Sequence, residues 1–211
     1  MADGAQPVAR LPRPWRRTVV WLAIALIDLA MFVLVMSPRK DLVAVLGNPS
    51  FVLEQLAALA TGLTAGFAAL ASVVPGSNRR VLLLPLLPLA VWLASVGGGC
   101  AAAWIHSGPA GLLLRPDWEC LPATAVIGAI PAIVIAVMLR RGAPLTPHLT
   151  AAVGGLAAAG LGDFGLRFCH AEDASLMVLV WQIGTVFVLT MAAGLAGRWV
   201  LGWKTLLRAG R

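Results

Sequence analysis

Tyrosine is absent from the 211 residues, only nine are acidic, and charged residues make up 12 % of the chain. A soluble domain carries about 25 % charged residues and roughly 45–50 % apolar ones. Here 60 % are apolar and the mean hydropathy is +0.89, so lipid is the solvent for most of the chain. Cys-x-x-Cys, HExxH, a phosphate-binding glycine loop and a zinc-finger spacing are all missing, which leaves catalysis and a resident zinc without support. No A-x-A-like cleavage site follows the first apolar run, which is also too long for a signal peptide and is expected to remain as a helix. No internal repeat of the kind that builds inverted-repeat transporters is visible.

What is present is a series of apolar runs, each near the roughly 20 residues that a bilayer requires. They predict an all-α polytopic membrane protein with six transmembrane helices at about 18–36, 51–74, 81–103, 122–139, 148–166 and 176–197. Residues 1–17 form an N-terminal segment and 198–211 a basic tail. The eight Trp, many at the ends of apolar runs, read as anchors in the headgroup layer. Pro85, Pro88 and Pro131 are expected to kink the third and fourth spans. Gly154, Ala158 and Gly162 recur every four residues beside Ala151, Gly155 and Ala159, which predicts a central fifth span approached closely by its neighbours. Thr61, Ala65 and Ala69 repeat the pattern more weakly in the second.

Assigning alternate loops to opposite sides divides the sixteen Lys and Arg unevenly. Twelve fall on the side of the termini: Arg10, Arg13, Arg16, Arg17, Arg79, Arg80, Arg140, Arg141, Arg198, Lys204, Arg208 and Arg211. Four fall opposite: Arg39, Lys40, Arg115 and Arg167. The positive-inside rule then predicts both termini in the cytoplasm. The net charge of +7 is thus a topology signal spread over short clusters, against anionic headgroups, and not a stripe for nucleic acid. Trp199 and Trp203 among basic residues suit an interfacial helix in the tail.

Cys120 and Cys169 fall in outer loops and share a compartment, whereas Cys100 lies inside the third span as a small packing residue. Three readings of the outer pair stay open on the residues alone: a structural disulfide, a redox or thiophilic-metal sensing pair, and unrelated thiols. His170, His106 and Glu119, with Asp117, Glu172 and Asp173, stand near enough in sequence to assist a soft metal. His148 reads as an interfacial cap. Asp28, near the middle of the first span, is either a proton-relay group or a hydrogen-bonded packing contact. Glu54 and Asp163 lie nearer the outer ends, where water is expected to reach them.

The order of short motifs resembles the NrsF-type membrane anti-sigma factors, named for a negative regulator of sigma factor F. It rests on Leu11-Pro12-Arg13-Pro14-Trp15-Arg16-Arg17, Pro38-Arg39-Lys40-Asp41-Leu42, Val74-Pro75-Gly76, Cys120-Leu121-Pro122, Cys169-His170 before Trp181, and Gly197-Arg198, and it covers nearly the whole chain. The resemblance implies a multi-pass protein of the bacterial inner membrane that is not an enzyme and needs no resident cofactor. Such a protein holds an extracytoplasmic-function sigma factor at its cytoplasmic side, without touching nucleic acid itself. It releases that factor when Cys120 and Cys169 meet an oxidant or bind a heavy-metal ion transiently. Candidate contacts for the sigma factor are Arg13, Trp15, Arg16, Arg17, Arg79, Arg80, Arg140 and Arg141. The family's segment ahead of Pro-Arg-Pro is longer than the one here, so either the start codon is misplaced or the sigma-factor contact leans on the inner loops and tail. Competing classes are a small-molecule transporter or channel using Asp28, and a membrane thiol oxidoreductase using the outer cysteines.

Overall fold

A computed structural model of the chain describes residues 11–112, 114–142, 144–171 and 174–201. Within them there is no strand, and six helical stretches are long and apolar enough to cross a membrane. The elements are α1 (Pro14–Met36), the short α2 (Leu42–Leu46), α3 (Pro49–Ser72), α4 (Leu86–Ser107), α5 (Cys120–Arg140) and α6 (Pro147–Leu166). The last stretch begins as α7 (Ser175–Met177), continues as a π-helix over Val178–Ile183 and ends as α8 (Gly184–Val200).

Local sequence explains where the helices begin. Pro opens α1, α3 and α6, where its missing N–H costs nothing and its fixed φ suits the first turn. Asn48 caps α3 by accepting a hydrogen bond from the Ser50 amide at 3.0 Å. The expected kink at Pro85 and Pro88 takes another form: a 3-10 helix over Arg79–Leu83 precedes α4, which has Pro85 as its N-cap. Pro88 then falls in the first turn of α4, where an amide has no partner to lose. Two features had no counterpart in the sequence reading, α2 and the π-helical stretch.

α6 is central, as its small residues predict: 72 % of its most apolar window is buried, against 17 % for α1. It presents a different small residue to each neighbour. A Cβ on Gly162 would stand 2.8 Å from the Thr124 carbonyl of α5, one on Gly160 would stand 3.6 Å from the Gly62 amide of α3, and one on Gly155 would collide with the Ala193 methyl of α8. Glycine therefore sets how closely these backbones approach, and the packing replaces a hydrophobic drive that lipid does not provide.

Trp21 and Trp92 correct the reading of tryptophan as interfacial. They are 0 % and 2 % exposed, and the Trp21 indole donates to the Pro131 carbonyl at 2.9 Å, which satisfies its one polar atom inside the core. Trp15, Trp104, Trp118 and Trp199 are exposed.

Candidate functional site

Residues Arg17, Leu70, Met138 and Val200 gather at one end of the bundle, here the basic end; the opposite one is the cysteine end. Cys120 is the first residue of α5 and 1 % exposed, a correction to its expected place in a loop. Its amide donates to the Asp117 carbonyl at 3.3 Å. Its side chain shares a core cluster with Ile127 and Leu166, against which Phe32 and Trp181 pack, and the thiol lies beside the hydroxyls of Thr124 and Thr185. Cys169 sits one turn beyond the end of α6, its amide donating to the Leu166 carbonyl at 2.9 Å. It is half-buried, and burial pushes its thiol above the ordinary value.

The segments that carry the two cysteines are tied directly. His170 Nε2 and Asp117 Oδ2 stand 2.8 Å apart, so the residue after Cys169 bonds a residue whose carbonyl receives the Cys120 amide. Trp181 reinforces the tie by donating to the Arg115 carbonyl at 2.8 Å and stacking edge-on against Trp118 at 5.0 Å. All three cysteines are free thiols. Among the described residues no three His, Cys, Asp or Glu side chains form a metal-holding group. His106, in the last turn of α4, and Glu119, the N-cap of α5, are both exposed, while Glu172 and Asp173 lie outside the described residues.

Arg39 and Arg167, read from sequence only as outer loop charges, are 6 % and 4 % exposed. Arg39 meets both carboxylate oxygens of Asp41 at 2.7 Å, and this bidentate bond holds the Asp41 carboxyl below its usual value. The Arg39 amide donates to the Phe168 carbonyl at 2.9 Å and its guanidinium to the His170 carbonyl at 3.5 Å. Arg167 pairs with Glu54 at 3.0 Å. Both guanidiniums lie by the Phe51 ring, at 5.9 and 5.0 Å from its centroid, an arrangement that favours cations over an aromatic face. The loop holding Cys169 and His170 is thereby fastened to α3 and to the α1–α2 connection.

At the basic end, Arg13, Trp15, Arg16, Arg79, Arg80 and Arg141 are exposed, and Arg16 lies over the Trp15 ring at 5.3 Å. Arg17 departs from this surface. It is buried, and its guanidinium donates to the Leu70 carbonyl at 3.4 Å and to the Met138 carbonyl. Arg140 donates to the Val200 carbonyl at 2.7 Å. These are helix C-terminal carbonyls, which lack intrahelical partners and favour a cation.

The family described as NrsF, negative regulator of sigma F, matches residues 1–203. The chain belongs to this family. Neither the curated proteins nor the solved structures contain a match to it. The NrsF name makes the chain's role that of a negative regulator of a sigma factor, and the remaining polar residues are read against it.

In this NrsF member Asp28 is half-buried on α1 and makes no hydrogen bond or ion pair to a described residue. Asp163 corrects the expectation of water access: it is 2 % exposed. His148 bonds the Gly194 carbonyl through Nδ1 at 2.9 Å and so ties α6 to α8. Sequence reasoning missed Arg39, Arg167 and Gln182 as buried groups. The signal available for the first two was a base close to the end of a span, a position where its charge needs a partner.

Proposed function

We propose that the chain is an inner-membrane anti-sigma factor that sequesters an extracytoplasmic-function sigma factor on its cytoplasmic face and releases it when Cys120 and Cys169 sense an oxidant or heavy metal. The NrsF match over residues 1–203 carries the regulatory part of this reading. The twelve-to-four division of Lys and Arg supports a cytoplasmic basic end. Arg13, Trp15, Arg16, Arg79, Arg80 and Arg141 then offer a cationic surface to the sigma factor. Arg140 contributes through whatever part of its guanidinium the Val200 bond leaves exposed, and Arg17 serves inside.

The His170–Asp117 bond at 2.8 Å supports the sensing half, because it joins the two cysteine segments before any signal arrives. In the redox form the two thiols lose two electrons and two protons to a peroxide, which is reduced to water or alcohol, as the S–S bond forms. In the metal form both thiols lose their protons to solvent and a soft cation takes the two sulfurs. Either event pulls α5 and the end of α6 together and strains the ties at Asp117 and His170.

Three kinds of experiment test the reading. Co-purification with the sigma factor encoded beside the gene, together with raised transcription of its regulon on deletion, is expected; unchanged unstressed transcription defeats the anti-sigma role. Cys120→Ser and Cys169→Ser should each abolish induction by cadmium or peroxide while the protein still reaches the membrane. Reduced abundance with intact induction would make the pair a staple instead. An active C-terminal alkaline phosphatase fusion would reverse the orientation.

A further inference from the structure

Inward from the Arg167–Glu54 pair, four helices bring buried polar side chains to one level. Ala159 of α6 packs in one cluster with Val178 and Val186, and these two valines flank Gln182 by one turn on each side. Gly155 of α6 lies against Ala193 and Gly194 against Ala152, an antiparallel register that sets Ala159 near Val186 and Asp163, one turn further out on the same face, near Gln182. Ala57 and Ala58 of α3 belong to the same cluster, which places Gln55 nearly one turn outward and at that level too. From α5 comes Thr124, whose carbonyl and methyl group both lie against Gly162.

The four side chains are sealed from solvent: Asp163 is 2 % exposed, Gln55 6 %, Gln182 1 % and Thr124 0 %. Asp163 Oδ1, Thr124 Oγ1 and both amide ends of Gln55 and Gln182 have no hydrogen-bond partner among the described residues. A buried polar group left in that condition is destabilising, so four on one level point to a ligand that they share.

Charge identifies its class. Further out Arg167 pairs with Glu54 and Arg39 with Asp41, so the charge that this level itself carries is the single negative one of an ionised Asp163. Water would meet the hydrogen-bonding needs and leave that charge, while a proton on Asp163 would cancel the charge and engage a single oxygen. A divalent ion would overshoot. A small monovalent ion cancels the charge and engages the carboxylate, amide and hydroxyl oxygens, which are hard donors suited to a hard cation, and the two amide NH2 groups are then left to donate to the carboxylate.

We propose that Asp163, Gln55, Gln182 and Thr124 form an internal oxygen-lined site for a hard monovalent cation of the sodium class, joining α3, α5, α6 and the final helix. A polar cavity of about 270 Å³, lined by Asn48, Ser50, Phe51, Glu54, Ser95 and Arg167, reaches Glu54 next to Gln55 and gives the ion its approach from the cysteine end. The π-helical stretch Val178–Ile183 serves the site by seating Gln182 within it, a use that fits the frequent appearance of π-bulges at functional positions.

The test is thermal unfolding of the purified full chain in detergent at about pH 8, where a carboxylate is ionised in water, with NaCl exchanged for choline chloride at constant ionic strength. The expected result is a saturable rise in Tm of roughly 5–10 °C with sodium, a weaker response to potassium, and loss of the response in Asp163→Asn and Gln182→Leu. Retention of ²²Na⁺ by the unaltered protein in equilibrium dialysis supplies a reading that does not depend on either variant folding. Equal Tm in sodium and choline, with no ²²Na⁺ retained, would overturn the site and give this level to water or a proton.

Discussion

At the basic end Arg17 donates to carbonyls of Leu70 and Met138 and Arg140 to that of Val200, whereas at the cysteine end Arg39 and Arg167 meet the carboxylates of Asp41 and Glu54. The same side chain fastens helices in both places, yet its acceptors differ in what they respond to. A backbone carbonyl has no proton to gain, so the basic end keeps its ties at any pH the cell meets. A carboxylate can gain a proton, so the ties at the cysteine end depend on pH in a way that those at the basic end do not. Under the proposed function, in which the cysteine end senses and the basic end docks the sigma factor, this division would keep the docking face constant while the sensing end responds.

The largest expected effect comes from breaking the buried ion pair. Arg167→Leu should lower stability by about 3–5 kcal/mol, because Glu54 is left buried without its cation. Glu54→Leu added to that chain should recover most of the loss, since an apolar pair of similar volume replaces two desolvated charges. Unfolding of the single and double variants in detergent measures both. A double variant as unstable as the single one would show that the pair's charges are not what Arg167 contributes.

Arg17→Leu tests the other end and should cost less, about 1–3 kcal/mol, the amount associated with leaving buried acceptors unsatisfied. No second substitution should rescue it, because its acceptors are backbone. The loss should also stay constant between about pH 5 and 9, where the guanidinium remains charged and the carbonyls do not titrate. A loss that varied with pH would mean that a titrating partner, and not the helix ends, holds Arg17.

The contrast between the ends was legible in sequence only at the level of topology. Apolar run lengths gave the six spans to within a few residues, because the bilayer fixes length, and the spacing of Gly154, Ala158 and Gly162 singled out the central helix. Run length carries nothing about facing, so Trp21 and Trp92 passed for interfacial residues when both are core. Charge counting assigned Arg17 and Arg167 to sides but not to partners, since Leu70, Met138 and Glu54 lie far off along the chain. The packing of α5 on α6 was readable from the short connection between them, which makes antiparallel neighbours. The lock between the two cysteine segments was not: His170 and Asp117 are 53 residues apart, and no local pattern pairs them.

The smallest effect, and the finest probe of the cysteine end, is the pH dependence of alkylation. Maleimides react with the thiolate, so the rate follows its fraction. Burial pushes the Cys169 thiol up, so less of it is thiolate at a given pH than in a free cysteine. Labelling of Cys169 by a membrane-impermeant maleimide should therefore be slower than that of a free cysteine at neutral pH. It should also keep rising with pH beyond the point where the free thiol has levelled off. Cys120, at 1 % exposure, should label more slowly still, because the reagent must first open the packing of Phe32, Ile127, Leu166 and Trp181. Asp117→Asn weakens the charge in the bond to His170, loosens the tie between the two segments and should speed Cys120 more than Cys169. Mass spectrometry of the labelled peptides over a pH series reads both rates. If Cys120 labels faster than Cys169 in the unaltered protein, the buried thiol is not protected, and the cysteine end is already open before any signal reaches it.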